Sequence, residues 1–193
     1  PQPAFSSSGP FVRLRESDGA RLRMTSRSDL STISRETNWQ GRQVTVMGLG
    51  SFGGGIAAVR FLAERGARVL VSDRKDEAAL AESLSQLSDL PDVELRLGGH
   101  DWSHFEAAEL VVLNPAVPPD NPLVEQLVQT GIPTSSEMEL FWQLNPARVI
   151  GVTGSNGKST TTALTHHLLE ASLETARAWP AGNIGRSLWP HPD

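Results

Sequence analysis

The chain has 193 residues, 38% of them hydrophobic, no cysteine and a formal net charge of −5. That composition offers no reason to expect nucleic acid or an anionic membrane as partner, and it excludes disulfides, thiolate metal sites and cysteine nucleophiles. No apolar run approaches the ~18 residues of a membrane span, and the length suffices for one ordinary domain and part of another.

Residues 1–41 hold six arginines against four acids, many serines and no periodic apolar pattern. They are expected to be a disordered leader, with Met24 as an alternative start. The acids and the missing apolar core argue against a transit or secretory signal, so a cytoplasmic location is expected. The chain begins with Pro1 and closes on "SLWPHPD" without the marks of a finished domain, which predicts a fragment of a longer protein.

From Gly41 the pattern becomes regular. "QVTVMGLG" reads as a strand ending in glycines, and "FGGGIAAVRFLAERG" as a helix with Gly66 at its end. "ARVLVSD" is a second strand, "DEAALAESLSQL" a helix, "DVELRLG" a third strand and "AELVVLNPAVPP" a fourth that runs into a proline-rich loop. "NPLVEQLVQTG" predicts a helix with Asn121 as N-cap and Pro122 at its first position. "IPTSS" and "SEMELFWQL" supply a fifth strand and a further helix. Alternation of this kind implies an α/β fold with a parallel sheet. After the Asn145–Pro146 break, "ARVIGVTG" predicts another strand and "STTTALTHHLLEAS" a helix. The expected organisation is a Rossmann-like domain over 42–146 and the start of a P-loop ATPase domain over 147–193, too short to enclose its own core.

Two glycine loops carry the chemistry. "GLGSFGGG" places Gly48, Gly50 and Gly53 as G-x-G-x-x-G between a strand and a helix, and Asp73 ends the next strand where a ribose-binding acid is expected. Glycines let backbone N–H groups approach a phosphate at a helix N-terminus, but the loop does not choose between NAD and a UDP-sugar. Arg74 and Lys75 could serve phosphate or base, or be ordinary solvated charges. "NPAVPP", Asn114 to Pro119, leaves a strand at the sheet end where such folds bind ligands. In "GVTGSNGKST" the glycine of the generic phosphate loop is displaced, Val152 standing in its place. Gly154 and Gly157 still let the backbone curl, Lys158 can reach terminal phosphates, and Ser159 offers a hydroxyl to Mg²⁺. His166 and His167 read as helix-surface or packing residues, since no third ligand stands at metal spacing.

"GVTGSNGKSTTTAL" resembles the ATP loop of the Mur ligases, and the order of "GLG", "NPAVPP", this loop and "AGNIG" over roughly 42–189 is similar to that family. Asn156 makes the loop most like the branch that joins D-glutamate to UDP-N-acetylmuramoyl-L-alanine. The resemblance implies an ATP-dependent amide ligase of peptidoglycan precursor synthesis working through an acyl phosphate. It implies that Gly50, Ser51, Phe52, Gly53, Asp73, Arg74, Asn114 and Asn183 surround the UDP-linked substrate. It implies that Gly154, Ser155, Asn156, Gly157, Lys158, Ser159 and Thr160 hold ATP, with Ser159 on Mg²⁺ and with Lys158 and Ser159 as the catalytic pair. Phe52 stands where the family commonly has a small polar residue, and Ala181 replaces the first glycine of "GGNIG". The family's remaining machinery lies downstream of Asp193, so this stretch alone is expected to be inactive; a monomer is expected, although the sequence does not give the oligomeric state. An NAD-dependent oxidoreductase and a UDP-sugar-binding module without catalysis are the alternatives.

Overall fold

In a computed structural model of the protein, which describes residues 33, 36–50, 54–173, 177–182 and 189, five strands pair into one parallel sheet. They are β1 (Gln43–Met47), β2 (Arg68–Ser72), β3 (Glu94–Arg96), β4 (Leu110–Leu113) and β5 (Thr134–Ser136), in the order β3-β2-β1-β4-β5. Helices α1 (Gly54–Ala63), α2 (Glu77–Ser85) and α3 (Pro122–Thr130) make three of the crossovers that parallel pairing requires, and α4 (Glu137–Leu144) follows β5. The β3–β4 connection instead carries a short 3-10 turn, Trp102–His104, which the sequence pattern does not announce. The fold is α/β and Rossmann-like, as expected.

Period-two alternation divides the strand side chains between two faces. Val44, Val46, Val69, Val71, Leu110 and Val112 pack with Val59 and Leu62 of α1, Leu80 of α2 and Leu140 of α4. On the other face Met47 and Val111 pack with Phe105 and with Leu127 of α3. The sheet therefore winds in both directions from its centre: β1 leads leftward to β2, β4 rightward to β5. The crevice at the carboxyl ends of β1 and β4 is where such a sheet accepts ligands. At one edge β3 is exposed along its length and carries a Glu94–Arg96 ion pair, charges that discourage pairing with another chain.

The helix signals hold in detail. Asn121 accepts the Leu123 N–H at 2.9 Å with Pro122 in the first turn, and Gly131 ends α3 in the left-handed region. Gly66, at φ +83°, closes the turn after α1 by donating to the Ala63 carbonyl. The last helix, α5 (Lys158–Ser172), also forms. The strand expected just before it does not. Residues 148–151 have no strand neighbour among the described residues, and Ile150 is 62% exposed. A strand is held by its ladder, so an apolar run without a partner stays irregular. The same lack of a covering layer leaves Leu164 and Leu168 of α5 exposed.

One glycine governs how α1 meets β1. A Cβ on Gly55 would fall inside the backbone of Leu49, so α1 can seat against the loop only with hydrogen at this position. Gly53, the third glycine of the sequence motif, lies outside the described residues. Gly55→Ala is expected to destabilise the domain by about 3 kcal/mol in urea unfolding, because backbone cannot move aside as a side chain can. Gly131→Ala, where a Cβ meets open space and only the positive φ is strained, should cost roughly 1–2 kcal/mol.

Candidate functional site

The loop after β1 is tied to the loop after β2 by one carboxylate. Gly48 donates to the Ser72 carbonyl at 2.8 Å, and the Leu49 N–H donates to Asp73 Oδ2 at 2.8 Å. Asp73 Oδ1 accepts the Lys75 N–H at 2.9 Å, and the residue is only 7% exposed. The sequence places Asp73 as a ligand-binding acid; the structure gives it a prior task as the brace of the glycine loop. Arg74 beside it is exposed.

The third loop enters from β4. Asn114 donates its N–H to the Met47 carbonyl at 3.0 Å, and its Oδ1 accepts the Ala116 N–H at 2.9 Å. Its side chain then lies against the glycines. A Cβ on Gly50 would stand 2.5 Å from Asn114 Nδ2, and one on Gly48 would stand 3.1 Å from Asn114 Cβ. Both glycines also hold positive φ, +85° at Gly48 and +72° at Gly50. The positive φ favours glycine at both positions, and a Cβ at either would also have to displace Asn114. The structure brings Gly50, Asp73 and Asn114 to one end of the sheet. Ser51, Phe52, Gly53 and Asn183 lie outside the described residues, as does most of the expected leader.

A fourth loop, after β3, joins the same end. Asp73 donates its N–H to the Arg96 carbonyl, while Gly98 and Gly99 donate to the carbonyls of Lys75 and Asp73 at 2.9 and 3.1 Å. This strapping positions His100, which the sequence reading passed over because a lone histidine after a Gly-Gly turn is no motif. Ser72 Oγ, fully buried, lies 2.8 Å from His100 Nδ1 and 2.9 Å from His104 Nδ1. The Thr45 hydroxyl donates to the His104 carbonyl at 2.8 Å. Burial holds the His100 pKa below the usual histidine range, against the opposing pull of the Asp73 charge.

The second glycine loop is separate and open. Gly154 and Gly157 take φ of +151° and +75°, and α5 starts at Gly157 without a side-chain cap. Its first N–H groups therefore point out of an exposed helix end that also carries Ser159 and Thr160, the arrangement that attracts a phosphate. Lys158 Nζ folds back and donates to the carbonyls of Gly154 and Ser155 at 2.6 and 3.2 Å. A single hydroxyl oxygen at Ser159 is a donor set that suits Mg²⁺, which keeps water and phosphate oxygens for its other positions. His166 Nε2 sits 3.2 Å from the Ala178 carbonyl, a packing contact. Among the described residues no group of three or more His, Cys, Asp or Glu is arranged to hold a metal, and no helix is long and apolar enough to cross a membrane.

A cavity of about 790 Å³ lies elsewhere, between α1 and α4, lined by Trp39, Arg60, Phe61, Arg65 and Phe141 among others. Its cations are already engaged. Arg60 pairs with Asp89 and Glu64, and Arg65 lies 3.7 Å over the Phe61 ring.

Comparison with known proteins gives these loops a context. Residues 42–136 match the family model described as Mur ligase MurD-like, N-terminal domain. The chain is 43% identical over 147 residues to the UDP-N-acetylmuramoylalanine–D-glutamate ligase of Trichlorobacter lovleyi, covering 76% of this chain and 32% of that one. It is 45% identical over 150 residues to the enzyme of the same name from Anaeromyxobacter dehalogenans, covering 77% and 31%. The chain thus spans about a third of the length of these relatives. Among solved structures, the UDP-N-acetylmuramate:L-alanyl-gamma-D-glutamyl-meso-diaminopimelate ligase from Neisseria meningitides matches with a TM-score of 0.50 and 26% identity, over 68% of this chain and 40% of that one.

Two outcomes test the geometry. Asp73→Asn puts an amide N–H where one backbone donor now finds an oxygen, so it should cost about 1.5–3 kcal/mol. Amide hydrogen exchange should then speed up at Leu49 or Lys75 and stay unchanged in α3. For His100, a pKa lowered in the folded state means that the unfolded chain binds the proton more readily. This contribution is complete above the unfolded value of about 6.5 and is lost as the pH falls from there through the folded value. Chemical denaturation between pH 7.5 and 5 should show that decline, and His100→Asn should reduce it.

Proposed function

The chain belongs to the Mur ligases through its MurD-like N-terminal domain at residues 42–136, and from that premise we propose that it is the nucleotide-handling part of a ligase that joins D-glutamate to UDP-N-acetylmuramoyl-L-alanine. The observation that carries this reading is the presence of two glycine loops at helix starts in one chain. One lies before α1 and is braced by Asp73; the other lies before α5 and is open to solvent.

The first loop would take the UDP-linked substrate. Backbone N–H groups near Gly50 approach the diphosphate, Asn114 closes the crevice from the β4 side, and Asp73 with Arg74 borders the base. Ser51, Phe52, Gly53 and Asn183 complete this set by family resemblance. The oxidoreductase alternative needs an acid whose oxygens are available to a ribose diol. Asp73 has one backbone N–H on each oxygen and so still has acceptor capacity for a ribose of either nucleotide; what favours the ligase reading is the second loop, "TGSNGKST", for which an oxidoreductase has no use.

The second loop, Gly154 to Thr160, would hold the ATP phosphates, with Lys158 turning from its own carbonyls to the terminal phosphoryl oxygens. Mg²⁺, bound through the Ser159 hydroxyl and ATP oxygens, would neutralise charge on the transferring phosphoryl group. No side chain of this stretch needs to be a nucleophile: the substrate carboxylate takes the phosphoryl group, and the amine of D-glutamate displaces phosphate from the resulting acyl phosphate. Lys158 contributes position and charge. The division at Asn145–Pro146 into a sugar-nucleotide domain and an ATP domain follows from the same reading, as does cytoplasmic action on a water-soluble precursor.

Calorimetry of the chain with UDP-N-acetylmuramoyl-L-alanine, NAD and Mg-ATP in separate titrations tests the proposal. The UDP-sugar should bind and NAD should not; the opposite result would overturn the ligase reading. Lys158→Ala should weaken ATP binding at least tenfold and leave the UDP-sugar isotherm unchanged. In the longer protein, phosphate release should require D-glutamate, and release driven by L-alanine instead would reassign the amino acid.

A further inference from the structure

The contacts around Ser72 favour one direction of hydrogen bonding, in which His104 Nδ1 is shared by two donors. His104 Nδ1 lies 3.4 Å from the Asp101 backbone N–H, a group that can only donate, so this nitrogen is the acceptor. Ser72 has one proton, and His104 Nδ1 at 2.9 Å is where it goes. The Ser72 oxygen is then left to accept, and the donor 2.8 Å away is His100 Nδ1–H. With Nδ1 carrying the proton, the Nε2 of neutral His100 holds a bare lone pair. Ser72, the partner of Nδ1, is wholly buried, whereas the His100 ring as a whole is only partly so, and the Nε2 edge is the one not engaged by Ser72.

The backbone around this ring fixes its place. Gly98 and Gly99 are strapped to Lys75 and Asp73, and Asp73 is in turn strapped to Leu49. His100 is therefore carried on the same set of loops as the glycine turn. We propose that His100 is a further binding residue of the UDP-sugar site, its Nε2 accepting a hydrogen bond from a ligand donor, either the imide N–H of the base or a ribose hydroxyl. This rests on the reading of the glycine loop as a sugar-nucleotide site. Ser72 and His104 act as positioning residues, since they choose the tautomer without reaching the ligand. The proton affinity of the partly buried ring, lowered by that burial, agrees with a neutral acceptor.

The test separates the two edges of the ring. An asparagine amide overlays Nδ1 and can still donate to Ser72, whereas a glutamine amide overlays Nε2. UDP titrated into His100→Asn should bind roughly tenfold more weakly than to the unaltered chain, the size of one lost net hydrogen bond, while His100→Gln should recover part of that loss. Unaltered thermal midpoints would show that folding is not the cause; if a midpoint drops, the ¹⁵N shifts of His100 in the unaltered chain decide instead. Those shifts should report the Nδ1–H tautomer at pH 7 and move at Nε2 when UDP is added. Titration with CDP, which lacks the imide proton, distinguishes the donors: loss of the His100→Asn effect assigns the base, and its persistence assigns the ribose. Equal UDP affinity in His100→Asn, or an Nε2–H tautomer, would overturn the inference while leaving the site intact. Failure of the unaltered chain to bind UDP would overturn the site reading and this inference together.

Discussion

The carboxylate of Asp73 is the joint on which the ligand end of the sheet depends. A parallel sheet leaves the loops at its carboxyl ends without ladder partners, so they must be held by other groups. Asp73 does this for two of them at once, taking the Leu49 N–H on one oxygen and the Lys75 N–H on the other. Its own backbone ties in a third loop through Arg96 and Gly99. A buried carboxylate is costly unless its lone pairs are used, and here each oxygen has a backbone donor. The same contacts that settle the charge also set the shape of the crevice.

Glycine is needed at this joint for two different reasons. At Gly48 and Gly50 the backbone takes positive φ and Asn114 presses against the loop. At Gly55 the backbone of Leu49 itself occupies the space that a Cβ would need. The ATP loop is built otherwise. Gly154 and Gly157 also take positive φ, but no side chain crowds them closely, and Lys158 rests on the loop's own carbonyls. Gly48 to Leu49 are tied to the neighbouring loop by hydrogen bonds, whereas the loop before α5 stands open around its lysine.

The sequence was most legible where a local rule and the tertiary need coincide. The Asn121–Pro122 start and Gly131 end of α3, and the β-branched runs of β1, β2 and β4, formed as read. Tertiary effects limited the rest. The apolar run before α5 has strand composition but no strand neighbour among the described residues, and composition cannot reveal which neighbour a run will meet. The close approach of α1 to the Leu49 backbone falls on Gly55, a position that no spacing rule singles out, because only the folded turn decides which residue meets Leu49. His100 and His104 lie 28 and 32 residues from Ser72, and only the folded sheet brings these polar groups together. Asp73 was found by position, but its bracing role could not be, since it depends on where Leu49 points.

The carboxyl end of the sheet, organised by Asp73, is proposed to receive a uridine diphosphate. Amide chemical-shift mapping with UDP tests it most directly. Changes should concentrate at Gly48 to Gly50, Asp73 to Lys75, Gly98 to His100 and Asn114 to Ala116, with α2 and α3 unmoved. Changes confined to the cavity between α1 and α4, or to the loop before α5, would contradict it.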